Sequence, residues 1–324
     1  MQKFVNINQV YLTGPSFVTI GNFDGLHRGH QALLRQVIRV AQEAFATGAV
    51  TAPPQSGLIT FEPHPLTVLR PQIPHFLLTT PAERLTFAAQ LGIDFGIIQN
   101  FTQEIASLEA QEFIHLLKTH LNLAGLVVGP DFALGRGRKG NLEALRDLGD
   151  ELGYTLHVID PVTWTESPVR SSTIRQAIQQ GDVVMAAELL GRAYHVSGEV
   201  VHGDQRGRQI GVPTANLQTA ADKLLPQNGV YATRAQLQHN GVLHSFNSVT
   251  NLGVRPTVGG IQQRLETHLF DFPPADHSGD LYGQALTIEF IARLRDEQRF
   301  SSIDKLIAQI QLDMQQARQI LHGK

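Results

Sequence analysis

The sequence contains no cysteine. Disulfides, thiolate metal sites and cysteine nucleophiles are therefore excluded, and the composition suits a reducing compartment. No run approaches the roughly 18 consecutive apolar residues that a membrane-spanning helix requires, and residues Met1–Asn6 lack the pattern of a signal peptide. These absences favour a soluble, cytoplasmic protein that has no membrane partner.

Neither sign of charge is in large excess. The 26 Lys and Arg residues nearly balance the 29 Asp and Glu residues, which gives a net charge of −3. Such a chain has no general field for holding nucleic acid, so any binding of phosphate must be local. We therefore expect small molecules as partners and no nucleic acid, while weak self-association stays open.

The first part of the 324-residue chain alternates short apolar runs with helical patterns. This alternation is typical of an α/β domain whose parallel sheet is covered on both faces, and we predict such a domain over residues 1–186. The predicted strands are Phe17–Ile20, Leu58–Phe61, Phe95–Ile98, Leu126–Val128 and Leu156–Ile159, and the predicted helices are Gln31–Phe45, Pro81–Leu91 and Ala110–Leu121.

The remaining residues, 187–324, contain many short strands separated by Gly, Pro, Asn and Asp, which is typical of a small antiparallel barrel. Asn228-Gly229, Asn240-Gly241 and Gly259-Gly260 are turn signals between the strands. One helix follows, capped by Ser301 or Ser302. Its apolar stripe is predicted to pack against the barrel and consists of Ile303, Leu306, Ile307, Ile310 and Met314.

The loop Gly21–His30 links the first predicted strand to the first predicted helix. Its glycines let the backbone approach a ligand, and the N–H groups at the start of the helix suit phosphate. His27 and His30 are spaced so that both can face that ligand and stabilise charge as pyrophosphate leaves. A pair of capping histidines and a metal site are the alternatives, although no further ligand cluster lies nearby.

This loop resembles the signature of the nucleotidylyltransferase superfamily in the form found in bacterial FAD synthetases. Thr60–Pro65, Gly129–Gly135 and Ser171–Arg175 resemble further segments of that family. The resemblance implies a Rossmann-like domain in which His27 and His30 are catalytic and in which Phe61 and Asp131 contact flavin. The phosphate-binding residues that it implies are Gly21, Asn22, Phe23, Asp24, Gly25, Gly29, His64, Ser171, Ser172, Thr173 and Arg175.

The segment Ser171–Arg175 departs from the family pattern, which has one more residue between Thr and Ile. Aligned on Ile174-Arg175, Arg170 and Ser172 fall where the family has Ser and Thr. A helix cap with an exposed arginine is the alternative interpretation of this segment.

The string Val201–Asn216 combines three glycines, two arginines and a Pro-Thr-Ala-Asn turn, which together make a phosphate cradle. The Thr214 hydroxyl and the Asn216 carbonyl oxygen are hard ligands that suit Mg²⁺. A tight glycine-rich β-turn would explain the glycines but not the other residues.

This string resembles the signature of riboflavin kinases, and matches continue to Phe300. The resemblance implies a six-stranded barrel in which Glu266 is the base that accepts the proton of the riboflavin 5′-hydroxyl. A lone glutamate on a strand is otherwise a solvated surface residue. The implied nucleotide contacts are Gly203, Arg206, Gly207, Arg208, Gly211 and Pro213, and the implied flavin contacts are Asn251, Arg255, Tyr282 and Arg295.

Taken together, the two halves resemble the bifunctional riboflavin kinases/FAD synthetases of bacteria. The resemblance implies that ATP and Mg²⁺ convert riboflavin to FMN in the barrel and FMN to FAD in the α/β domain. One alternative is a riboflavin kinase whose adenylyltransferase half has decayed. The other is a cytidylyl- or adenylyltransferase that does not act on flavin.

Overall fold

A computed structural model describes residues 1–161, 163–164, 167–203, 207, 210–257, 260–273 and 279–322. The chain divides into two compact units, Met1–Ser171 and Ser172–Lys324. The first contains a six-stranded sheet with the order β1-β4-β3-β2-β5-β6, in which all neighbours are parallel. Its strands are β1 (Gln2–Val5), β2 (Ser16–Ile20), β3 (Gln55–Glu62), β4 (Phe95–Asn100), β5 (Leu123–Val128) and β6 (Thr155–Val158).

Helices cover both faces of this sheet. On β2, Val18 and Ile20 pack into one apolar cluster with Phe113, whereas Phe17 packs into the other with Leu34. The parallel sheet with helices on both faces is therefore confirmed. The helices are α1 (Arg28–Ala46), α2 (Pro65–Leu69), α3 (Pro81–Gln90), α4 (Gln103–Ser107), α5 (Ala110–Leu121) and α6 (Leu142–Leu152), and the hairpin β7 (Thr163–Trp164) and β8 (Ser167–Pro168) follows β6.

Strand β1 and helix α6 were not predicted. Strand β1 lies at the edge of the sheet and Val5 is 55% exposed, so the strand lacks the apolar run of a buried one.

The order of the strands in the sheet determines where a ligand can bind. Strand β2 lies between β3 and β5, so the chain reverses its direction of travel across the sheet at β2. The loops that follow β2 and β5 flank a crevice, which is where open α/β sheets bind ligands.

The second unit contains a closed antiparallel barrel with the order β10-β13-β12-β11-β14-β9, which confirms the six-stranded barrel. Buried hydroxyls of Thr233, Thr250 and Thr267 are hydrogen-bonded to one another. The elements are α7 (Ser171–Gln179), α8 (Val183–Leu190), β9 (Tyr194–Val201), β10 (Ala215–Thr219), β11 (Gly229–His239), β12 (Val242–Thr257), β13 (Gly260–Leu269), β14 (Ala285–Arg295) and α9 (Ile303–His322).

Helix α9 packs on the outer face of the barrel, where its Ala317 and Leu321 meet Val230 and Val249. The predicted stripe is wrong at Ile303, which is 61% exposed, because the first turn of α9 extends past the barrel wall. Ser302 caps the helix as predicted, since its hydroxyl accepts a hydrogen bond from the Lys305 N–H at 3.3 Å.

Two other local predictions have clear outcomes. Asn240 and Gly241 have φ of 48° and 79° and form the two-residue turn between β11 and β12, as predicted. Ala215 and Asn216, expected in a turn, instead begin β10 because they pair with β13. Helix α8 packs against β9 and β14 and belongs to the second compact unit, while the domain boundary at residue 186 stays a prediction.

Candidate active sites

The loop after β2 has an unusual backbone. Phe23, Gly25 and Leu26 have positive φ angles of 50°, 84° and 38°. Left-handed backbone is easy for glycine but costs energy for bulky side chains, so the surrounding structure must hold it in place. Phe23 and Leu26 are only 3% and 1% exposed, which shows that both side chains help to fix the loop.

Asp24 holds this loop from behind. Its buried carboxylate accepts hydrogen bonds from the backbone N–H groups of Leu78 and Thr79 at 3.1 and 2.9 Å. It also pairs with Arg84 at 3.3 Å. The carboxylate therefore points into the protein, where it helps to hold the shape of the loop.

His27 and His30 lie at the start of α1. Nδ1 of His27 accepts a hydrogen bond from the backbone N–H of His30 at 3.4 Å, so a neutral His27 carries its proton on Nε2. The two rings stack with centroids 3.6 Å apart. Burial, the neighbouring His27 and the Arg84 cation together hold the pKa of His30 well below its usual value of 6.5. His30 is therefore a neutral ring at pH 7.

These histidines face a pocket of about 440 Å³ at the carboxyl ends of β2, β5 and β6. The pocket brings together five of the residues that the sequence indicated, although they come from three separate segments. Those residues are His27, Gly29, His30, Asp131 and Ser171. Ser171, the last residue of the first unit, also donates to the backbone carbonyl of Asp24 at 2.9 Å, which links this wall of the pocket to the loop.

Arg170 lines the same pocket but was not among the predicted site residues. The sequence carried one signal for it, its alignment with a serine of the family segment. As an exposed cation beside His30 and Ser171, it adds positive charge where phosphate would lie.

Other predicted residues of this half serve the framework of the site. His64 caps α2 by accepting a hydrogen bond from the Leu66 N–H at 3.2 Å, and its ring stacks on His75. Phe61 packs edge to face against Phe101. The remaining predicted residues keep the positions of their motifs: Gly21 and Asn22 lie in the loop after β2, and Ser172, Thr173 and Arg175 lie in the first turns of α7.

In the second unit, three polar residues lie side by side on neighbouring strands. Glu266 of β13 is paired with Asn216 of β10 on one side and with Asn251 of β12 on the other. Because Thr267 next to Glu266 points into the barrel, these three side chains are on the outer face. Glu266 also forms an ion pair of 3.2 Å with Arg264.

A cavity of about 300 Å³ lies over this row, between the barrel wall and α9. Thr214, Asn251, Glu266 and Arg295 line its barrel side. The helix contributes Leu306, Ile310 and Asp313. The cavity thus combines a carboxylate, hydroxyl and amide groups with an apolar wall, which suits a flat aromatic substrate that carries a hydroxyl group.

Arg295, which the resemblance implied as a flavin contact, lines the cavity and is also held by α9. Its guanidinium forms a bidentate pair with Asp313, with distances of 2.9 Å from Nε and 2.7 Å from Nη2. Asp313 is 3% exposed and also accepts a hydrogen bond from Gln309 at 2.9 Å. Arg295 therefore connects the barrel to α9 at the edge of the cavity.

Two glycines of the string, Gly203 and Gly207, are closely packed. A Cβ atom on Gly203 would lie 2.2 Å from Asn216 Nδ2, and one on Gly207 would lie 2.3 Å from the Val212 carbonyl oxygen. The buried Oδ1 of Asn216 has no hydrogen-bond partner among the described residues. An oxygen in this position is available to a cation, so the donor set fits the predicted Mg²⁺ site.

Some predicted contacts of this half lie elsewhere. Tyr282 stacks on His202 at 3.8 Å and lines a separate pocket of about 560 Å³, which shares Thr214 and His268 with the cavity over Glu266. Pro213 accepts a hydrogen bond from His268 Nδ1 at 2.7 Å, and Gly211 has a φ of 79°. Arg206, Arg208 and the side chain of Arg255 lie outside the described residues.

The described residues lack two features, a metal-binding cluster and a membrane-spanning helix. Within the ranges that the structure describes, no three His, Cys, Asp or Glu side chains are grouped so that they could hold a metal ion. In those same ranges, no helix is long and apolar enough to cross a membrane.

Both units match known families. The FAD synthetase family model matches residues 12–173, and the riboflavin kinase model matches residues 190–321. With the two pockets, these matches define a transferase that has a nucleotidyltransferase domain and a kinase domain. Bifunctional riboflavin kinase/FMN adenylyltransferases of Escherichia coli K12 and Bacillus subtilis 168 are 38% and 36% identical to this chain, and each alignment covers 93% of this chain and 91% of the relative. The chain belongs to this family of bifunctional riboflavin kinase/FMN adenylyltransferases.

A solved structure also covers both units. A Streptococcus pneumoniae protein described as a macrolide-efflux protein matches 98% of this chain and 99% of its own, with a TM-score of 0.85 and 31% identity. Because both family models match and the relatives are bifunctional, the bifunctional interpretation is favoured over a kinase with a decayed partner domain.

Proposed function

We propose that this chain makes FMN and then FAD at two sites, one in each unit. In the barrel, the riboflavin 5′-hydroxyl takes the γ-phosphoryl group of ATP and ADP leaves. In the α/β unit, a phosphate oxygen of FMN attacks the α-phosphorus of ATP, and the bond to pyrophosphate breaks. The observation that carries this proposal is that each unit holds its own pocket, lined by the groups that its reaction needs.

In the α/β unit, His27 and His30 act on the phosphates of ATP. The two stacked rings can each donate one N–H to phosphate oxygen and so stabilise charge on the departing pyrophosphate. Arg170 and Ser171 supply further donors. Asp131 lines the same pocket, after β5, which supports its role toward the flavin.

In the barrel, Glu266 accepts the proton of the riboflavin hydroxyl. Its ion pair with Arg264 orients the carboxylate on the outer face of the sheet. Thr214 Oγ1 and Asn216 Oδ1 would hold Mg²⁺, which when bound neutralises charge on the nucleotide phosphates. The string around Gly203 and Gly207 shapes that binding site.

Product analysis over time tests the proposal. Riboflavin incubated with MgATP should yield FMN first and FAD second, and FMN with MgATP should yield FAD and pyrophosphate. If FMN accumulates and FAD never forms, the protein is a kinase alone. If riboflavin is not phosphorylated, the assignment of the barrel fails and a transferase that does not act on flavin returns as the better explanation.

A further inference from the structure

Arg84 of α3 is a buried cation that the sequence did not single out. It is 1% exposed, and it is the largest of the side chains that are almost fully buried among the described residues. A charged side chain at such a position is costly unless it is paired and hydrogen-bonded. The contacts of Arg84 therefore indicate its structural role.

Those contacts all lie behind the loop Gly21–His30. The guanidinium pairs with Asp24 at 3.3 Å through Nη2, donates from Nη1 to the Thr60 hydroxyl at 3.2 Å and donates from Nε to the Thr79 hydroxyl at 3.3 Å. Nη2 also donates to the Thr79 carbonyl oxygen at 2.9 Å.

Each partner of Arg84 in turn holds one residue of the loop. The Thr60 hydroxyl donates to the Asn22 carbonyl oxygen at 2.9 Å, and the Thr79 hydroxyl accepts from the Gly25 N–H at 2.7 Å. The Asp24 carboxylate belongs to the loop itself. One planar fork thus fixes three consecutive parts of a backbone segment in which Phe23 and Leu26 have strained, positive φ angles.

We propose that Arg84 is a positioning residue for adenylyl transfer. By holding the loop from behind, Arg84 fixes the position of His27, the residue that caps α1. It therefore also fixes where both histidine rings contact the nucleotide. The charge of Arg84 has a second effect, since it helps burial and His27 to keep the pKa of His30 low and the ring neutral. This inference rests on the proposed role of the two histidines.

Two substitutions separate the geometric effect from the effect of charge. Arg84→Lys keeps the cation but loses the fork that serves Asp24, Thr60 and Thr79 together. We expect kcat for FAD synthesis to fall roughly 10- to 100-fold, because small displacements of catalytic groups cost that much, with the pH profile unchanged. Arg84→Gln removes the cation, so the pKa of His30 should rise and the acid limb of the FAD-synthesis profile should move to higher pH.

The same samples supply the controls. Riboflavin kinase activity should match the wild type in both variants, because Arg84 lies in the other unit. Arg39→Gln is the matched substitution, since Arg39 is 59% exposed and pairs with Glu43 on α1, and it should leave both activities unchanged. Thermal unfolding checks that each variant is folded, and if Arg84→Gln is not folded, Arg84→Lys decides.

The proposal is overturned if folded Arg84→Lys makes FAD within about twofold of the wild-type kcat, a change too small for a misplaced catalytic group. It is also overturned if a folded Arg84→Gln variant keeps the wild-type acid limb or shifts it to lower pH. A wild-type protein that makes no FAD would instead refute the proposed function, so the two failures are distinguishable.

Discussion

His27 and His30 differ in what their ring nitrogens can still bond. Nδ1 of His27 already accepts the backbone N–H of His30, whereas Nδ1 of His30 is buried and has no hydrogen-bond partner among the described residues. A buried polar atom without a partner costs about 1–3 kcal/mol. A nucleotide that bonds the His30 ring would recover part of that cost, so His30 is the more informative residue to replace.

Replacing His30 by Ala should lower kcat for FAD synthesis by roughly 10²-fold or more, as expected when one donor to transition-state charge is lost. Steady-state assays with FMN and MgATP measure this effect. Riboflavin kinase activity should survive, and His115→Ala, on the exposed face of α5, should change neither rate. A parallel loss of both activities would contradict the assignment of two sites.

The low pKa of His30 also predicts how stability depends on pH. The unfolded chain takes up a proton on this residue near the usual pKa of 6.5, while the folded protein does not. Lowering the pH through that value therefore favours unfolding, by at most about 1.4 kcal/mol per pH unit from this group. Above it, the contribution of His30 disappears.

His30→Gln should accordingly reduce the loss of melting temperature between about pH 7.5 and 5.5, because glutamine does not titrate. Calorimetric scans of wild type and variant across this range give the comparison, with His115→Gln as the control. Parallel curves for wild type and His30→Gln would show that His30 has an ordinary pKa.

Glu266→Gln should remove most of the riboflavin kinase activity, because the amide keeps the shape of the side chain but cannot accept the proton. FAD synthesis from added FMN should be unchanged. Glu199→Gln, on the exposed side of β9, is the control for losing a carboxylate from the barrel. FMN production at the wild-type rate would remove Glu266 as the base.

At the scale of elements, the two ends of α9 have different roles. Its C-terminal part, around Ala317 and Leu321, packs on the barrel, while its N-terminal part lines the cavity with Leu306 and Ile310. The pair between Arg295 and Asp313 lies between these parts. The ion pair therefore couples the stability of the helix to the shape of the proposed riboflavin site.

Asp313→Ala should lower the melting temperature of the barrel and raise the KM for riboflavin. It leaves Arg295 mostly buried without its carboxylate, at a cost of about 2 kcal/mol or more. Kinase assays and thermal unfolding measure the two effects. Asp304→Ala, in the exposed first turn of α9, is the control. A variant that is less stable but has an unchanged KM would separate the ion pair from the substrate site.

At the scale of the whole molecule, each unit has its own core and its own pocket. The two proposed reactions then share only FMN. Mixing His30→Ala with Glu266→Gln should therefore restore FAD formation from riboflavin, after a lag in which FMN accumulates. Neither variant alone should reach the wild-type rate of FAD formation. A mixture that does not restore FAD formation from riboflavin would show that one chain must carry both intact sites.

The sequence by itself was enough to predict the class of each unit, and the residues proposed for each site lie in motifs that it displays. The pattern of strands and helices is local, and so are the loop that carries His27 and His30 and the string that ends at Asn216. Such motifs are visible because the residues that act together are neighbours along the chain. The strand that carries Glu266 could be placed only through its family motif.

Only the tertiary structure decided how those motifs are supported. Asp24 and Arg84 are 60 positions apart in the sequence, and Arg295 and Asp313 belong to different elements. No local sequence pattern could therefore predict either ion pair. The fold likewise places Asp131 and Arg170 in the pocket that the histidines line, and it places Tyr282 in a different pocket from the one that Glu266 lines. Burial makes such pairs decisive, because a charge removed from water must find its partner wherever the fold places it.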